Sequence, residues 1–313
     1  MFEQIKQLIE AHDTIILHRH KNPDGDALGA QIGLKRILQD RYPNKRILAV
    51  GDMTPRYAFI AQEGMDTVGD EDYNGALAII LDTSARALIS DERYTMAAAT
   101  ARIDHHIFCE RIAEHEVTDT SYESCCALIA AFAIACDYPV STAAAKALYT
   151  GMVTDSGRFR YDSTSAQTHR LASFLMERDF STADIYRNLY ADDFANIRLR
   201  AQFVMKIQFS DKNVAYIYTP QEELKTYAAD TFSISRGMVG VMAEIRGVDI
   251  WVNFTETEDG VLCEIRSSRY NINPVARKYG GGGHEKASGA TLKNRDEAMR
   301  LLEDLGRIAE GGK

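Results

Sequence analysis

The sequence predicts an α/β protein: an N-terminal, largely parallel sheet with helices on both faces, linked by a helix to a smaller C-terminal α/β domain. Three observations carry this reading. Short β-rich runs alternate with helical patterns up to about residue 160, the arrangement of strands joined by crossover helices. From residue 163 to about 208 the apolar spacing is helical throughout, and beyond it strand-like runs return. The 313 residues also suffice for two domains of about 150 residues each. We place the domains at residues 1–190 and 213–313, with 191–212 as the linking helix.

Taken in order, residues 14–18 form the first strand and 28–38 the helix behind it. Residues 46–50, 77–81 and 101–103 are the next β-rich runs, and 128–135 is helical. That helix lies inside the longest unbroken apolar run, residues 125–136, which falls short of the roughly 20 residues of a membrane span and reads as a buried core helix. Residues 2–11 are amphipathic and the apolar run 14–17 is too short for a signal core, so no export signal is expected. Helical periodicity follows at 168–177, 182–189 and 196–207, the last being the connection. Strand-like runs at 214–218, 249–254 and 261–265 enclose the segment 237–245, and a helix over 296–309 closes the chain.

The formal charge of −9 excludes the basic track that a binder of long nucleic acid requires, so an anionic substrate has to be met locally. Five cysteines, with no C-x-x-C pair, fit reduced thiols and a cytoplasmic setting better than a disulfide framework.

In open parallel sheets ligands bind beyond the carboxyl ends of the strands, so polar residues just after strands carry the most information. The first such loop holds His20, Asp24 and Asp26, two carboxylates and an imidazole able to face cations, although Asp26 could equally cap the following helix. The run 77–81 leads directly into Asp82, and 101–103 into Asp104, His105 and His106. Asp and His buried together cost free energy unless paired or bound to metal, so this triplet is hard to explain as packing. A fourth carboxylate, Asp155, sits in a glycine-flanked turn after an apolar helical run. Together these argue for one site that holds cations with oxygen and imidazole ligands. His12, His18, His115 and His169 lack any such context and are expected to be structural.

These segments, in this order, resemble the four motifs of the DHH phosphoesterase family. Downstream, Arg266-Ser267-Ser268-Arg269 and the run from Gly280 through Gly281, Gly282, Gly283 and His284 to Ala290 resemble the signature of the DHH-associated C-terminal domain. Within the family the two-domain length and the G-G-G-G-H element are most similar to NrnA-type nanoRNases and pAp phosphatases. The resemblance implies one metal held by His20, Asp24 and Asp82 and a second held by Asp26, Asp82, His105 and Asp155, with Asp82 bridging. It further implies that His106 contacts the scissile phosphate and that Asp104 supports the histidine pair. Where relatives often carry a Ser/Thr-rich stretch, this chain reads Tyr122-Glu123-Ser124-Cys125-Cys126.

Two divalent ions about 4 Å apart would lower the pKa of a bridging water and stabilise the attacking and leaving oxygens of a phosphoester. Carboxylate-rich ligation with imidazole suits Mn²⁺ best, with Mg²⁺ or Co²⁺ as alternatives. Arg266 and Arg269 can offer bidentate donors to a second phosphate, the glycine run a backbone nest, and Ser267 and His284 further contacts. The active site is thus expected in the cleft between the domains, where two half-sites act as a ruler that favours short substrates. The expected function is two-metal hydrolysis of short oligoribonucleotides to mononucleotides, extending to 3′-phosphoadenosine 5′-phosphate (pAp). Cyclic-di-AMP or linear pApA is the alternative substrate, and a non-catalytic nucleotide sensor the alternative class. Neither a membrane nor long nucleic acid is expected as a partner, and a homodimer is compatible with the sequence.

Overall fold

The computed structural model describes residues 2–311, and the chain divides into two compact units, one ending at Ala191 and the other starting at Asp192. The first unit begins with helix α1 (Glu3–Ala11), strand β1 (Thr14–His18), α2 (Gly25–Arg41) and β2 (Arg46–Ala49). It continues through β3 (Leu77–Leu81), β4 (Ala99–Asp104) and β5 (His115–Thr118), then α3 (Cys125–Ala135), α4 (Thr142–Asp155), α5 (Ala166–Met176) and α6 (Thr182–Tyr190). Its five strands are all parallel in the order β2-β1-β3-β4-β5. The chain leaves β1 toward one edge and β3 toward the other, so a crevice opens above these two strands at their carboxyl ends.

Side chains alternate across the sheet with period two, and both faces are apolar. Ile15, Leu17, Leu77, Ile79, Leu81, Ala101 and Ile103 pack on the α-helices in one core. The opposite set, Ile16, Ala78 and Ile80, meets Tyr73, Tyr94, Ile89 and Val50. The helices expected on both faces are therefore of two kinds: α-helices on one, and short 3₁₀ turns such as Asp70–Tyr73 and Glu92–Met96 on the other. The turn-rich stretch between β2 and β4 has no long apolar periodicity, and so it folds as loops with local apolar anchors.

Helix α2 is polar at its ends yet buried along most of its length, because it is sandwiched between the sheet and helices α3 and α4. Gly25, Gly29 and Gly33, spaced by four, form the stripe that meets α4. A Cβ built on Gly29 would lie 2.6 Å from the carbonyl oxygen of Ala147, and one on Gly33 2.5 Å from Leu148. These missing methyl groups let the two backbones approach closely.

The second unit holds α7 (Phe194–Val204), β6 (Gln208–Phe209), β7 (Ala215–Thr219), α8 (Gln221–Leu224), β8 (Ile250–Thr257), β9 (Gly260–Ser267), α9 (Asn273–Lys278), β10 (Gly282–His284), β11 (Ala287–Leu292) and α10 (Arg295–Gly311). Its sheet order is β10-β11-β9-β8-β7-β6, with only the β7–β8 pair parallel. One face packs on α9 and α10 through Val252, Phe254, Cys263, Leu301 and Leu305. The other face, with Ile217 and Trp251, receives Phe203 of α7.

Within the stretch 191–212, expected as the linking helix, α7 packs on the second unit, and its Phe203 is fully buried in that unit's core. The end of the glycine run, expected as a backbone nest, enters strand β10: Gly282 pairs with Gly289 and Gly283 with Ser288. All five cysteines are unpaired, and among the described residues no helix is long and apolar enough to cross a membrane.

Replacing Gly29 with Ala is expected to destabilise the first unit by about 1–3 kcal/mol through overpacking against a backbone carbonyl. Gly240→Ala, where a Cβ meets nothing within 4 Å, should leave stability unchanged. Equal thermal midpoints for wild type and Gly29→Ala would refute the close approach of α2 to α4.

Candidate active site

Every strand-end carboxylate singled out in the sequence lies at one place, above the carboxyl ends of β1, β3 and β4. After β1 the chain passes His20 and reaches Asp24, whose Oδ1 accepts from the amides of Asp26 and Ala27 at 3.0 Å each. Asp24 is thus the cap of α2, the duty the sequence left open for Asp26. Asp26 instead sits buried in the first turn, where its two oxygens accept from the amides of Cys125 (2.7 Å) and Cys126 (2.9 Å) at the start of α3. The helix dipole of α3 and two orphan amides thereby meet a carboxylate from α2. At the end of β3, Asp82 is almost fully buried and adopts φ +48°, a left-handed conformation that Asp tolerates better than most residues. Asp155 is the last residue of α4.

Three donor groups emerge, each with ligand-type atoms within 4.8 Å of one another: His20 with Asp24 and Asp82, Asp26 with His105 and Asp155, and Asp82 with His105 and His106. His20 Nε2 lies 3.5 Å from Asp82 Oδ2 and 3.8 Å from Asp24 Oδ1. His105 Nε2 lies 3.5 Å from Asp82 Oδ1, 3.6 Å from Asp155 Oδ2 and 3.7 Å from Asp26 Oδ2. Backbone carbonyls set both rings, because His20 Nδ1 meets the Lys21 carbonyl at 2.9 Å and His105 Nδ1 that of Tyr122 at 3.3 Å. His106 differs: its Nδ1 bonds Asp104 Oδ1 at 2.8 Å, and Asp104 is paired in turn with the fully buried Arg102.

Electrostatics among the cluster's own side chains favour bound protons. Burial works against a charged His20, yet Asp24 and Asp82 raise its pKa to about 10. His105 behaves likewise, with burial overcome by Asp82, Asp26 and Asp155, and also reaches about 10. Burial drives Asp155 up to about 7, with Asp82 and Asp24 adding to it against the pull of His105. Asp26 is raised by burial and by the Asp82 and Asp155 charges, whereas the two imidazoles hold Asp82 below its usual range in spite of burial. Asp82 Oδ1 is buried without a hydrogen-bond partner. Hard carboxylate oxygens with a few imidazole nitrogens and one orphaned buried oxygen are a donor set that fits divalent cations.

The second-unit residues fare unevenly. Arg266 Nη1 donates to Glu264 and to the Ile265 carbonyl, and Ser267 Oγ donates to the Asp249 carbonyl while accepting from the amides of Arg269 and Tyr270. Both therefore hold the local turn together. The amide of Gly280 returns to Arg277 and that of Gly281 to Ala276 at the end of α9, and Gly282 and Gly283 belong to β10. The run is thus partly ordered by these bonds, with β10 at the edge of its sheet. Arg269, stacked on Tyr270, and the exposed His284 stay out of such side-chain bonding.

Sequence reasoning missed Arg102 and Arg19. Arg19 is fully buried; its Nε donates to Gln31 and its Nη1 to the His20 carbonyl at 2.9 Å, which fixes the loop that carries His20. A guanidinium inside an otherwise apolar strand was the available signal for Arg102.

An open parallel sheet bearing this cluster, followed by a second α/β unit, defines a two-unit α/β protein with a site suited to divalent cations. Residues 14–152 match the DHH family, N-terminal domain, and residues 214–311 the DHHA1 domain. The chain belongs to the DHH family. It is 35% identical over 308 residues to the bifunctional oligoribonuclease and PAP phosphatase NrnA of Bacillus subtilis, covering 97% of both chains. It is likewise 35% identical over 305 residues to the probable bifunctional oligoribonuclease and PAP phosphatase NrnA of Streptococcus mutans, again covering 97% of both. An exopolyphosphatase-related protein of Bacteroides fragilis shares the fold, with a TM-score of 0.84 at 24% identity over 98% of this chain and 95% of that one.

The pH dependence of the metal-free protein has a definite sign. His20 and His105 are raised from 6.5 to about 10, so their contribution is complete below about 6.5 and is lost as pH climbs through about 10. Asp155, raised from 3.8 to about 7, loses stability in the same direction as it ionises. Thermal midpoints of chelator-treated protein should therefore fall between about pH 6 and 10, and added Mn²⁺ should remove most of the fall while releasing protons. A midpoint rising with pH in the absence of metal would contradict this electrostatic picture.

Proposed function

We propose that the chain hydrolyses short oligoribonucleotides to mononucleotides and removes the 3′-phosphate of pAp, with two divalent ions, Mn²⁺ the best suited. The observation that carries this reading is that Asp82 stands with His20 and Asp24 through one oxygen and with His105 through the other, while His105 in turn belongs to the Asp26–Asp155 group. Relatives named for the same two activities, similar over nearly the whole chain, support it.

His20, Asp24 and Asp82 would hold one ion, and Asp26, Asp82, His105 and Asp155 the other. Such ions, when bound, neutralise phosphate oxygens and lower the pKa of a water. The chain's own groups do the rest. Asp104 accepts from His106 Nδ1, and the bond outweighs burial to raise the pKa of His106. With Nδ1 bound to Asp104, His106 would offer Nε2 as a donor to an oxygen of the scissile phosphate. Burial opposes the charge on Asp104, but the hydrogen bond to His106 and then the neighbouring Arg102 hold its carboxyl below the usual range, which fixes the His106 ring. Arg269 and His284 are the second unit's proposed substrate contacts. The free cysteines suit a reducing cytoplasm.

Asp82→Ala should lower kcat by at least about three orders of magnitude on every substrate, because both groups lose their shared oxygen donor. His106→Ala should cost about 10²–10⁴ in kcat with metal content retained. Arg269→Ala should act mainly on KM for short substrates. Purified Mn²⁺-loaded protein that leaves both pAp and two- to five-residue RNA intact would sink the reading.

A further inference from the structure

Beside the carboxylate cluster the first unit carries a basic, aromatic hollow. A cavity of about 280 Å³ is lined by Arg56, Tyr57, Arg158 and Tyr190, with Asp24 and Asp155 on its wall. The Arg158 guanidinium lies 4.1 Å from the centre of the Tyr190 ring, and that of Arg56 lies 5.8 Å from the Tyr57 ring. Arg56 Nη2 is also steadied by the Leu189 carbonyl at 3.0 Å. Stacking on an aromatic face holds a guanidinium flat while its edge N–H groups remain available to an anion. Arg158 makes no ion pair among the described residues.

The backbone under Arg158 is unusual. Gly157, Arg158 and Phe159 have φ of +57°, +65° and +61°, a left-handed run that is unfavourable for Arg and Phe. It is held in place because the Arg158 amide donates to the Val153 carbonyl at 2.8 Å, and the Phe159 amide to Ser156 Oγ at 2.9 Å. One turn therefore carries Asp155 into the acidic cluster and Arg158 into the cavity next to it.

We propose that this cavity anchors a second phosphate of the substrate, the one adjacent to the phosphate being cleaved. Arg158 and Arg56 hold it by charge-assisted hydrogen bonds, with Tyr57 and Tyr190 against the sugar or base. This rests on the short-nucleotide phosphoesterase reading and extends it, because it assigns the second anion to the first unit. The volume is near the lower end of ligand pockets, about 300–1,000 Å³, so it admits one nucleotide's phosphate and sugar but not a run of them.

The test is a competition. Hydrolysis of bis(4-nitrophenyl) phosphate, which has a single phosphate, serves as the reporter, and pAp as the competitor, in Mn²⁺-loaded full-length protein. Arg158→Asn removes the guanidinium and suits positive φ, since Asn is enriched in that conformation. The ratio of the pAp competition constant to the reporter KM should rise about tenfold or more in Arg158→Asn, and by a smaller factor in Arg56→Gln. A change below about twofold overturns the assignment. So does a loss of kcat with the ratio unmoved, which marks a structural effect, or a rise confined to Arg269→Ala, which puts the anchor in the second unit. Cleavage of pAp and short RNA by the same wild-type preparation tests the function separately. A wild type that binds pAp through Arg158 without cleaving it would refute only the function.

Discussion

Like charges held within a few ångströms of one another are the constraint that the first unit is built to satisfy. Five carboxylates, Asp24, Asp26, Asp82, Asp104 and Asp155, crowd a partly buried crevice, and each needs an opposing group. Asp24 has the amides of its own helix and Asp26 those of the next one. Asp104 has the buried Arg102 and the ring of His106. Among the described residues, Asp82 and Asp155 are answered only by imidazoles at about 3.5 Å, and one Asp82 oxygen has no hydrogen bond. The uncompensated charge is thus concentrated on these two residues, which face the same His105 nitrogen.

That concentration depends on how tightly the helices close. The amides of Cys125 and Cys126 reach Asp26 only because α3 abuts the first turn of α2, and Gly151 on α4 leaves no room to spare: a Cβ there would lie 2.2 Å from Cys126 Sγ and 2.9 Å from Asp26 Oδ1. A small-residue seam between helices thereby fixes a carboxylate at the site. The same packing buries the thiols, whose pKa values are pushed up by burial first and by Asp26 next, so they stay protonated, apolar filler.

Much of this was readable from the sequence. His20, Asp24, Asp26, Asp82, His105 and Asp155 could be paired with strand and helix ends because the apolar runs stop where the ligand-type residues start, and a parallel sheet brings such ends together. What stayed hidden has physical causes. The carbonyls of Lys21 and Tyr122 orient two imidazoles, yet a backbone carbonyl leaves no mark in a sequence. Arg102 and Arg19 look like surface charges until their partners, Asp104 and Asp52, are seen to be folded around them. The glycine run suggested a nest because it lets backbone N–H groups approach an anion without Cβ interference; the pairing of its last two residues as β10 left no such mark, nor did the close approach just before that strand, where a Cβ on Gly281 would lie 2.1 Å from the Gly289 carbonyl oxygen. Arg158 could not be told from a solvated charge, since the ring it stacks on, Tyr190, comes from a helix further along the chain.

His105 and His106 illustrate how neighbours in sequence acquire opposite chemistry. Their rings lie 4.6 Å apart, so the same field bathes both. What separates them is the group at Nδ1. A neutral carbonyl behind His105 takes up Nδ1 and leaves Nε2 facing the carboxylates, so a cation arriving there has only the Nε2 proton to displace. An ionised carboxylate behind His106, itself held charged by Arg102, stabilises the imidazolium and turns Nε2 into a donor. One ring is suited to accept a metal and the other to grip an anion. The difference follows from β4 ending one residue before the pair, which puts Asp104 in line with His106 and leaves His105 to the chain that leads into α3.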